Sequence, residues 1–332
     1  MVGYRRVASL TRAGRLLGIR TAIALPVTAA VSVAMFAVAS LSPFDPLVAH
    51  LGANYQGATV SQREAVRAAY DTDRPWWQAW WDWVIGLLHG DLGWSSTQSQ
   101  PVVTVLAERM PFTLALSGLA LLTAAVVAVL LGGIAGMRRG GLIDRSCVRL
   151  SVLTAAVPPF VVSLALVAVF AVALRWLPAS GARAPGDDYT VDGVVRHGIL
   201  PLIALTVSQV PWLLLSMRSA VVEACASDAV RAARARGVHG WALLRGHIAP
   251  VSVLPTLALL GTRLPELIAG AAIVETVFGW PGMAAVLVDS AAALDFPLLA
   301  VLTVGSALAV LAGSALSDAA AVAIDPRIGL SA

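Results

Sequence analysis

The sequence predicts an all-α membrane protein with about six transmembrane helices and both termini in the cytoplasm. Its composition, the length of its apolar runs and the placement of its arginines predict this class. Of 332 residues, 58% are hydrophobic and 13% are charged, and the mean hydropathy is +0.81. Soluble domains carry roughly 45–50% apolar and about 25% charged residues. A soluble core of this length has no room for so much apolar surface, so hydrocarbon must be the solvent for much of the chain.

A spanning helix needs about 20 apolar residues, each rising about 1.5 Å. Six segments qualify: Thr21–Leu41, Pro111–Gly136, Ser151–Leu174, Ile199–Met217, Val251–Phe278 and Phe296–Leu316. The first has arginines before it and a small-residue run, Ala37-Val38-Ala39, that a signal peptidase could cut. Its apolar stretch exceeds the roughly 7–15 residues of a signal core, which favours a retained helix. The Pro158-Pro159 pair is expected to bend the third span.

All 23 basic residues are arginine. With the N-terminus inside, fifteen of them fall on cytoplasmic segments, seven on the longer outside segments, and Arg263 lies within a helix. The positive-inside rule therefore places both termini in the cytoplasm. The expected organisation is a cytoplasmic segment 1–20, a first helix 21–41 and an extracytoplasmic segment 42–110. A five-helix core, 111–317, then carries a cytoplasmic loop at 218–250, and a tail follows at 318–332.

The outside segment is rich in tryptophan, with Trp76, Trp77, Trp80, Trp81, Trp83 and Trp94. Over Trp76–Leu88 the aromatics recur at helical spacing, near Asp73, Asp82 and Asp91. Indole rings favour the headgroup region, which points to an interfacial helix that anchors the domain. A docking surface for an extracytoplasmic partner is compatible with the same pattern.

Several kinds of chemistry are excluded. There is no His-Glu-x-x-His metal motif. The five histidines (His50, His89, His197, His239 and His247) all fall outside the spanning cores, which argues against haem ligation between helices. Ser117 has no intramembrane histidine to activate it. A phosphate-cradling loop of the Walker type needs a lysine, and the chain has none. Any ATP that drives this protein must be bound by another chain. Cys147 and Cys225 lack metal-site spacing and fall in segments assigned to the cytoplasm, where a structural disulfide is not expected. No catalytic residue, metal ligand or nucleic-acid partner is expected.

The loop 218–250 is the longest cytoplasmic connection. Its centre reads Asp228-Ala229-Val230-Arg231-Ala232-Ala233-Arg234-Ala235-Arg236-Gly237. Alanine and arginine are strong helix formers, Asp228 suits the first turn, and Gly237 suits the position just past the last. A second helical piece is expected from about Trp241 to His247, before Pro250. An Ala-rich helix of this kind fits equally well in the groove of a partner or on anionic headgroups. Within the membrane, Arg263 and Glu266 stand one turn apart on the fifth span, and Glu275 lies near its outer end. Such charges face a cavity or a partner helix. Arg263 and Glu266 are read as lining either a pathway through the membrane or a contact with a second chain, and Glu275 as part of an outer gate or a structural turn.

The loop resembles the so-called EAA motif of ATP-binding-cassette importer permeases. Arg231-Ala232-Ala233, Gly237 and His247-Ile248-Ala249-Pro250 stand where that motif has Glu-Ala-Ala, Gly and Ile-x-Leu-Pro. The departures resemble the dipeptide/oligopeptide/nickel branch, whose loop reads Asp-Tyr-Val-Arg-Thr-Ala-Arg-Ala-Lys-Gly. This chain differs at Ala229, Ala232 and Arg236. Other motifs of that branch follow in order along nearly the whole chain. They are Leu41-Ser42-Pro43-Phe44-Asp45-Pro46, with Phe44 for glycine, and Gly90-Asp91-Leu92-Gly93-Trp94-Ser95. Arg109-Met110-Pro111-Phe112-Thr113-Leu114, Glu275-Thr276-Val277-Phe278-Gly279-Trp280-Pro281-Gly282 and Asp325-Pro326-Arg327 complete the set.

The resemblance implies a type I importer permease that passes di- or oligopeptides, or alternatively nickel or another small solute. It also implies no enzymatic activity in this chain. The implied partners are a second homologous permease, two ATP-binding subunits that hold ATP and magnesium, and an extracytoplasmic binding protein. Asp228, Arg231, Ala232, Ala233, Gly237 and His247 would then couple the chain to the ATPase. A stand-alone secondary transporter or channel is the competing class, but one intramembrane charge pair and no clear repeat speak against it.

Overall fold

A computed structural model describes residues 22–41, 57–70 and 75–324, with the backbone alone over 66–70, 262, 264–270 and 316–324. The Leu41–Pro46 motif beyond Leu41, the Asp325-Pro326-Arg327 motif and the side chain of Glu266 lie outside the described residues. Nearly all of the described chain is helical. That follows from the solvent, because a backbone N–H or C=O in hydrocarbon finds no water and must be bonded within its own segment.

Among the described residues, five helices are long and apolar enough to cross a membrane, and up to seven spans result if each of two further helix pairs is one span. Helix α1 is Ala22–Ser40, ending one residue before the expected Leu41. It is followed by α2 (Val60–Tyr70) and α3 (Trp76–Leu88), the latter covering the tryptophan-rich run to the residue. A two-stranded antiparallel hairpin, β1 (Trp94–Ser95) with β2 (Gln100–Pro101), leads into α4 (Val102–Met137). Helix α4 starts nine residues before the expected Pro111, which lies inside it. Its early turns are held by packing, since Val102 and Val105 are fully buried against Val286 and Leu298.

The third expected span is not one helix. Residues Leu142–Ala155 (α5) and Pro159–Ala173 (α6) are bent by 100° at their break. Proline forces the residue before it out of the helical region, and Pro158 is extended (φ −59°, ψ 145°) immediately before Pro159. Helix α7, Val191–Ala226, has 36 residues and is about 54 Å long at 1.5 Å per residue. It therefore runs well past Met217, and Arg218 belongs to the helix rather than to the loop. Next come α8 (Asp228–Ala235) and α9 (Gly240–Leu243). A π-helical turn at Leu244–Ile248 continues into α10 (Ala249–Phe278). Helix α11 (Met283–Ala293) was not expected from the sequence, and α12 (Phe296–Ile324) closes the described chain.

The chain divides into two compact units. One holds Ala115–Trp280 and the chain from Ala309 onward. Its centre is the contact of α4 with α7, where Ala124 and Ala128 are fully buried against Leu213 and Leu214. One and two turns further on, Gly132 and Gly136 leave no room for a side chain. A Cβ on Gly136 would lie 2.7 Å from Val221 Cβ and 2.8 Å from the Arg218 carbonyl. Small residues four apart let backbones approach closely, which is how helices associate where lipid removes the hydrophobic drive.

The other unit holds Ile23–Leu114 and Pro281–Leu308. Asp295, buried just before α12, binds the hairpin. Ser95 Oγ donates to its Oδ2 at 2.6 Å, Thr97 Oγ1 at 2.8 Å and Thr97 N at 3.1 Å. The Gly-Asp-Leu-Gly stretch makes this possible. Gly93 has φ +89° and receives no side chain because Pro297 Cβ would stand 2.9 Å from its Cβ. Asp91 Oδ1 accepts from Gly93 N at 2.8 Å and fixes the turn.

The α4–α7 contact gives a paired test. Gly136→Ala overpacks the contact and should lower stability by about 1–3 kcal/mol. Gly133, whose Cβ would meet nothing within 4 Å, should accept alanine with a neutral or stabilising effect. Thermal denaturation of the two variants in detergent checks this. Equal behaviour of the pair would remove the close-approach reading.

Candidate functional site

The sequence-selected cytoplasmic residues gather in one small module at the end of α7. Ser227 ends α7 and caps α8. Its Oγ donates to the Ala224 carbonyl at 2.7 Å and accepts from Val230 N at 3.4 Å. Asp228 occupies the first turn of α8 and pairs with Arg231. Both side chains are largely exposed, so the pair adds little stability. At the other end Gly237 takes φ +84°. Gly237 N donates to the Arg234 carbonyl at 2.9 Å and Val238 N to that of Ala233 at 3.1 Å. This is the paired bonding of a Schellman cap, and Val238 supplies its apolar contact.

Helix α8 has two faces. Val230 and Ala233 are fully buried against Met217, Val221, Ala224, Leu243 and Ile248. Ala229, Arg231, Ala232, Arg234, Ala235 and Arg236 are exposed. Of the two neighbouring alanines singled out in sequence, then, Ala233 holds α8 to its own chain and Ala232 faces outward. His247 lies in the π turn, half-buried, and its Nδ1 is buried without a hydrogen-bond partner among the described residues. The outward face combines low side-chain bulk with three arginines, which suits a shallow, negatively charged or polar partner surface.

The sequence reading missed the ion pair behind this module. Asp144, in the first turn of α5, is buried at 3% exposure. Arg218 Nε donates to its Oδ1 at 2.5 Å and Nη2 to its Oδ2 at 2.9 Å, while Gly140 N adds a bond of 2.8 Å to Oδ2. The two-pronged geometry uses the planar guanidinium fully. It ties α5 and the turn before it to α7, one residue beyond the Met217 that packs on α8. Nothing in local sequence marks the pair, because its members are 74 residues apart. The clue available was an arginine directly following an apolar span.

Arg263 and Glu275 stand at different levels of α10. Arg263, half-buried, places its guanidinium 4.7 Å above the ring of Trp212 on α7, an arrangement in which the π face attracts the cation. Trp212 was not singled out in sequence. Glu275 is buried at 2% exposure near the end of α10. Twelve residues separate it from Arg263, about 18 Å along the helix. Just beyond it, Trp280 N donates to the Glu275 carbonyl at 2.9 Å and Gly181 N to that of Phe278 at 2.8 Å. Trp280 also packs against Gly198, so the motif beginning at Glu275 holds the turn after α10 to the loop before α7.

Comparison with known proteins agrees with this architecture. The family described as binding-protein-dependent transport system inner membrane component matches residues 128–330. A putative peptide permease protein of Brucella suis biovar 1 (strain 1330) is 31% identical over 312 residues, covering 93% of this chain and 97% of that one. An oligopeptide transport system permease protein of Bacillus subtilis (strain 168) is 28% identical, with 93% and 97% covered. A probable D,D-dipeptide transport system permease protein of Escherichia coli (strain K12) is 31% identical, with 91% and 94% covered. The chain belongs to this family of inner-membrane transport components. It is a multi-pass permease subunit of the plasma membrane, with the helical fold of type I ATP-binding-cassette importers.

The buried ion pair can be tested directly. Asp144→Ala strands the largely buried Arg218 guanidinium and should cost about 3 kcal/mol. Adding Arg218→Met to it should recover part of that loss, because no unpaired charge then remains. Melting curves of the single and double variants measure the coupling, and strict additivity would show that the pair contributes nothing.

Proposed function

We propose that this permease forms part of the translocation pathway of an ATP-driven importer of di- or oligopeptides. It works with a second homologous permease, two ATP-binding subunits and an extracytoplasmic binding protein. The observation that carries this reading is α8. It is a short capped helix fastened by Val230 and Ala233 to the end of a transmembrane helix, with a low, arginine-bearing face turned outward. Relatives covering nearly the whole chain are named as peptide permeases, which supports the substrate class.

In this mechanism the exposed face of α8 (Asp228, Ala229, Arg231, Ala232) seats in a cleft of an ATP-binding subunit, and Ala233, Gly237 and His247 hold its back and end. ATP and magnesium belong to those partner chains. Closure of the two ATPases displaces α8, and α7 carries the displacement into the membrane. Arg263 and Glu266 line the pathway or the contact with the second permease, with Trp212 stacked beneath the guanidinium, and Glu275 holds the outer gate. A peptide carries a carboxylate and an ammonium, so a paired charge suits either end.

Gly237 provides the sharpest test. Its Cβ would meet nothing within 4 Å, and asparagine tolerates the left-handed conformation. Gly237→Asn should therefore retain transport. Gly237→Glu should insert normally yet abolish uptake, since it adds bulk and negative charge at the end of the helix that must seat in the cleft. Uptake at the wild-type rate by a stably inserted glutamate variant would sink the assignment. For the pathway, Arg263→Ala combined with Glu266→Ala should reduce peptide uptake without loss of ATPase co-purification, and unchanged uptake would remove both residues from it. Competition for uptake among dipeptides, longer peptides and nickel separates the substrate classes.

A further inference from the structure

The tryptophan-rich α3 carries three distinct faces. Its first face packs inward. Trp83 is buried with Phe36 of α1, their ring centroids 5.9 Å apart, beside Ala300 and Val304 of α12. Phe36 also stacks on Phe296 at 5.2 Å. Trp80 Nε1 donates to Ser32 Oγ at 3.0 Å, and Ser32 Oγ donates in turn to the Ala29 carbonyl at 2.8 Å. Both polar groups are thereby satisfied, whereas Trp83 Nε1 on the same face is buried without a hydrogen-bond partner among the described residues. The second face is an apolar stripe at helical spacing, made of Trp77, Trp81, Ile85 and Leu88. Trp77 and Trp81 are each 56% exposed and Leu88 is 81% exposed. The third face holds Gln78 and Asp82.

Depth follows from α1. Ser32 is eight residues from the end of the helix at Ser40, about 12 Å along it. With the N-terminus cytoplasmic, as the arginines place it, that end lies outside and Ser32 is level with the outer leaflet. An indole reaching Ser32 holds α3 beside hydrocarbon rather than above the headgroups. Helix α1, against which α3 packs, leaves Leu25 and Val38 71% and 68% exposed, the exposure expected of a helix surrounded by acyl chains. A partner protein would have to cover bulky tryptophans that already sit at the level of acyl chains.

We propose that the Trp77, Trp81, Ile85 and Leu88 stripe of α3 is a lipid-binding surface sunk into the outer leaflet, while Gln78 and Asp82 face the aqueous side. Pinned to α1 through Trp80 and to α12 through the Phe36 stack, α3 sets the height of both helices in the bilayer. This surface is independent of the substrate and of the ATPase contact.

The test uses the full chain, co-purified with its partner subunits and reconstituted in phosphatidylethanolamine–phosphatidylglycerol vesicles. Cys147 and Cys225 are free thiols and are first replaced by serine. Nitroxide labels are then placed singly through Trp77→Cys, Trp81→Cys and Gln78→Cys. Labels at 77 and 81 should collide with oxygen several-fold more than with a water-soluble nickel chelate, and the order should reverse at 78. Chelate dominance at 77 and 81 would overturn the proposal in favour of an aqueous surface. Low collision with both reagents would overturn it in favour of a protein occupant. Should the tryptophan variants fail to assemble, Ile85→Cys and Leu88→Cys report on the same stripe. The unlabelled chain gives a second reading. Bromine-bearing acyl chains should quench its fluorescence more than that of the Trp77→Phe, Trp81→Phe variant, and equal quenching would refute contact with lipid.

Discussion

The permease depends on how closely α4 can approach α7. Ala124, Ala128, Gly132 and Gly136 form one stripe, and their lack of side-chain bulk brings the two backbones within contact distance. In hydrocarbon no hydrophobic force drives helices together, so association rests on packing and polar bonds. Close approach supplies the first of these. The Arg218 fork on Asp144 supplies the second at the cytoplasmic end of α7, where it fastens α5 and the turn that follows α4. From that foundation the remaining features of the unit follow in order. Helix α7 runs past Met217, its end buries Val230 and Ala233 of α8, and α8 is left with one face outward.

The unit around α1, α3 and the hairpin uses different means. Its strands are two residues long and have no stability of their own. They persist because a buried carboxylate collects three donors, one from Ser95 at the end of β1 and two from Thr97 in the turn. Aromatic packing around Phe36 does for α1 and α3 what small residues do for α4 and α7. Large rings fill space where the helices stand apart, and absent side chains serve where they meet.

Much of this was legible in sequence. Span number, the extent of α3, the capped α8 and the bend at Pro158-Pro159 all follow from apolar length, helical spacing and local backbone preference. The ends of α4 and α7 were not, because an arginine or a proline was read as a boundary. Pro111 is carried inside α4 by packing of Val102 and Val105, and Arg218 ends the apolar run without ending α7, because arginine is a good helix former. The hairpin was invisible for a related reason, since its stabilising residue is 200 positions away from Ser95. In the candidate site, the capping residues were readable, whereas the inward turn of Ala233 and the stacking of Arg263 on Trp212 depend on tertiary placement.

The π turn at Leu244–Ile248 has a consequence for the orientation of everything beyond it. A π turn carries one residue more than an α turn, and each residue rotates a helix by about 100°. The extra residue therefore acts as a phase-setter for α10. Converted to regular α-helix, the same segment would swing Arg263 about a quarter of a revolution around the helix axis, away from the ring of Trp212. Which side chains of α10 face the interior is thus decided some fifteen residues earlier, by backbone winding rather than by side-chain chemistry.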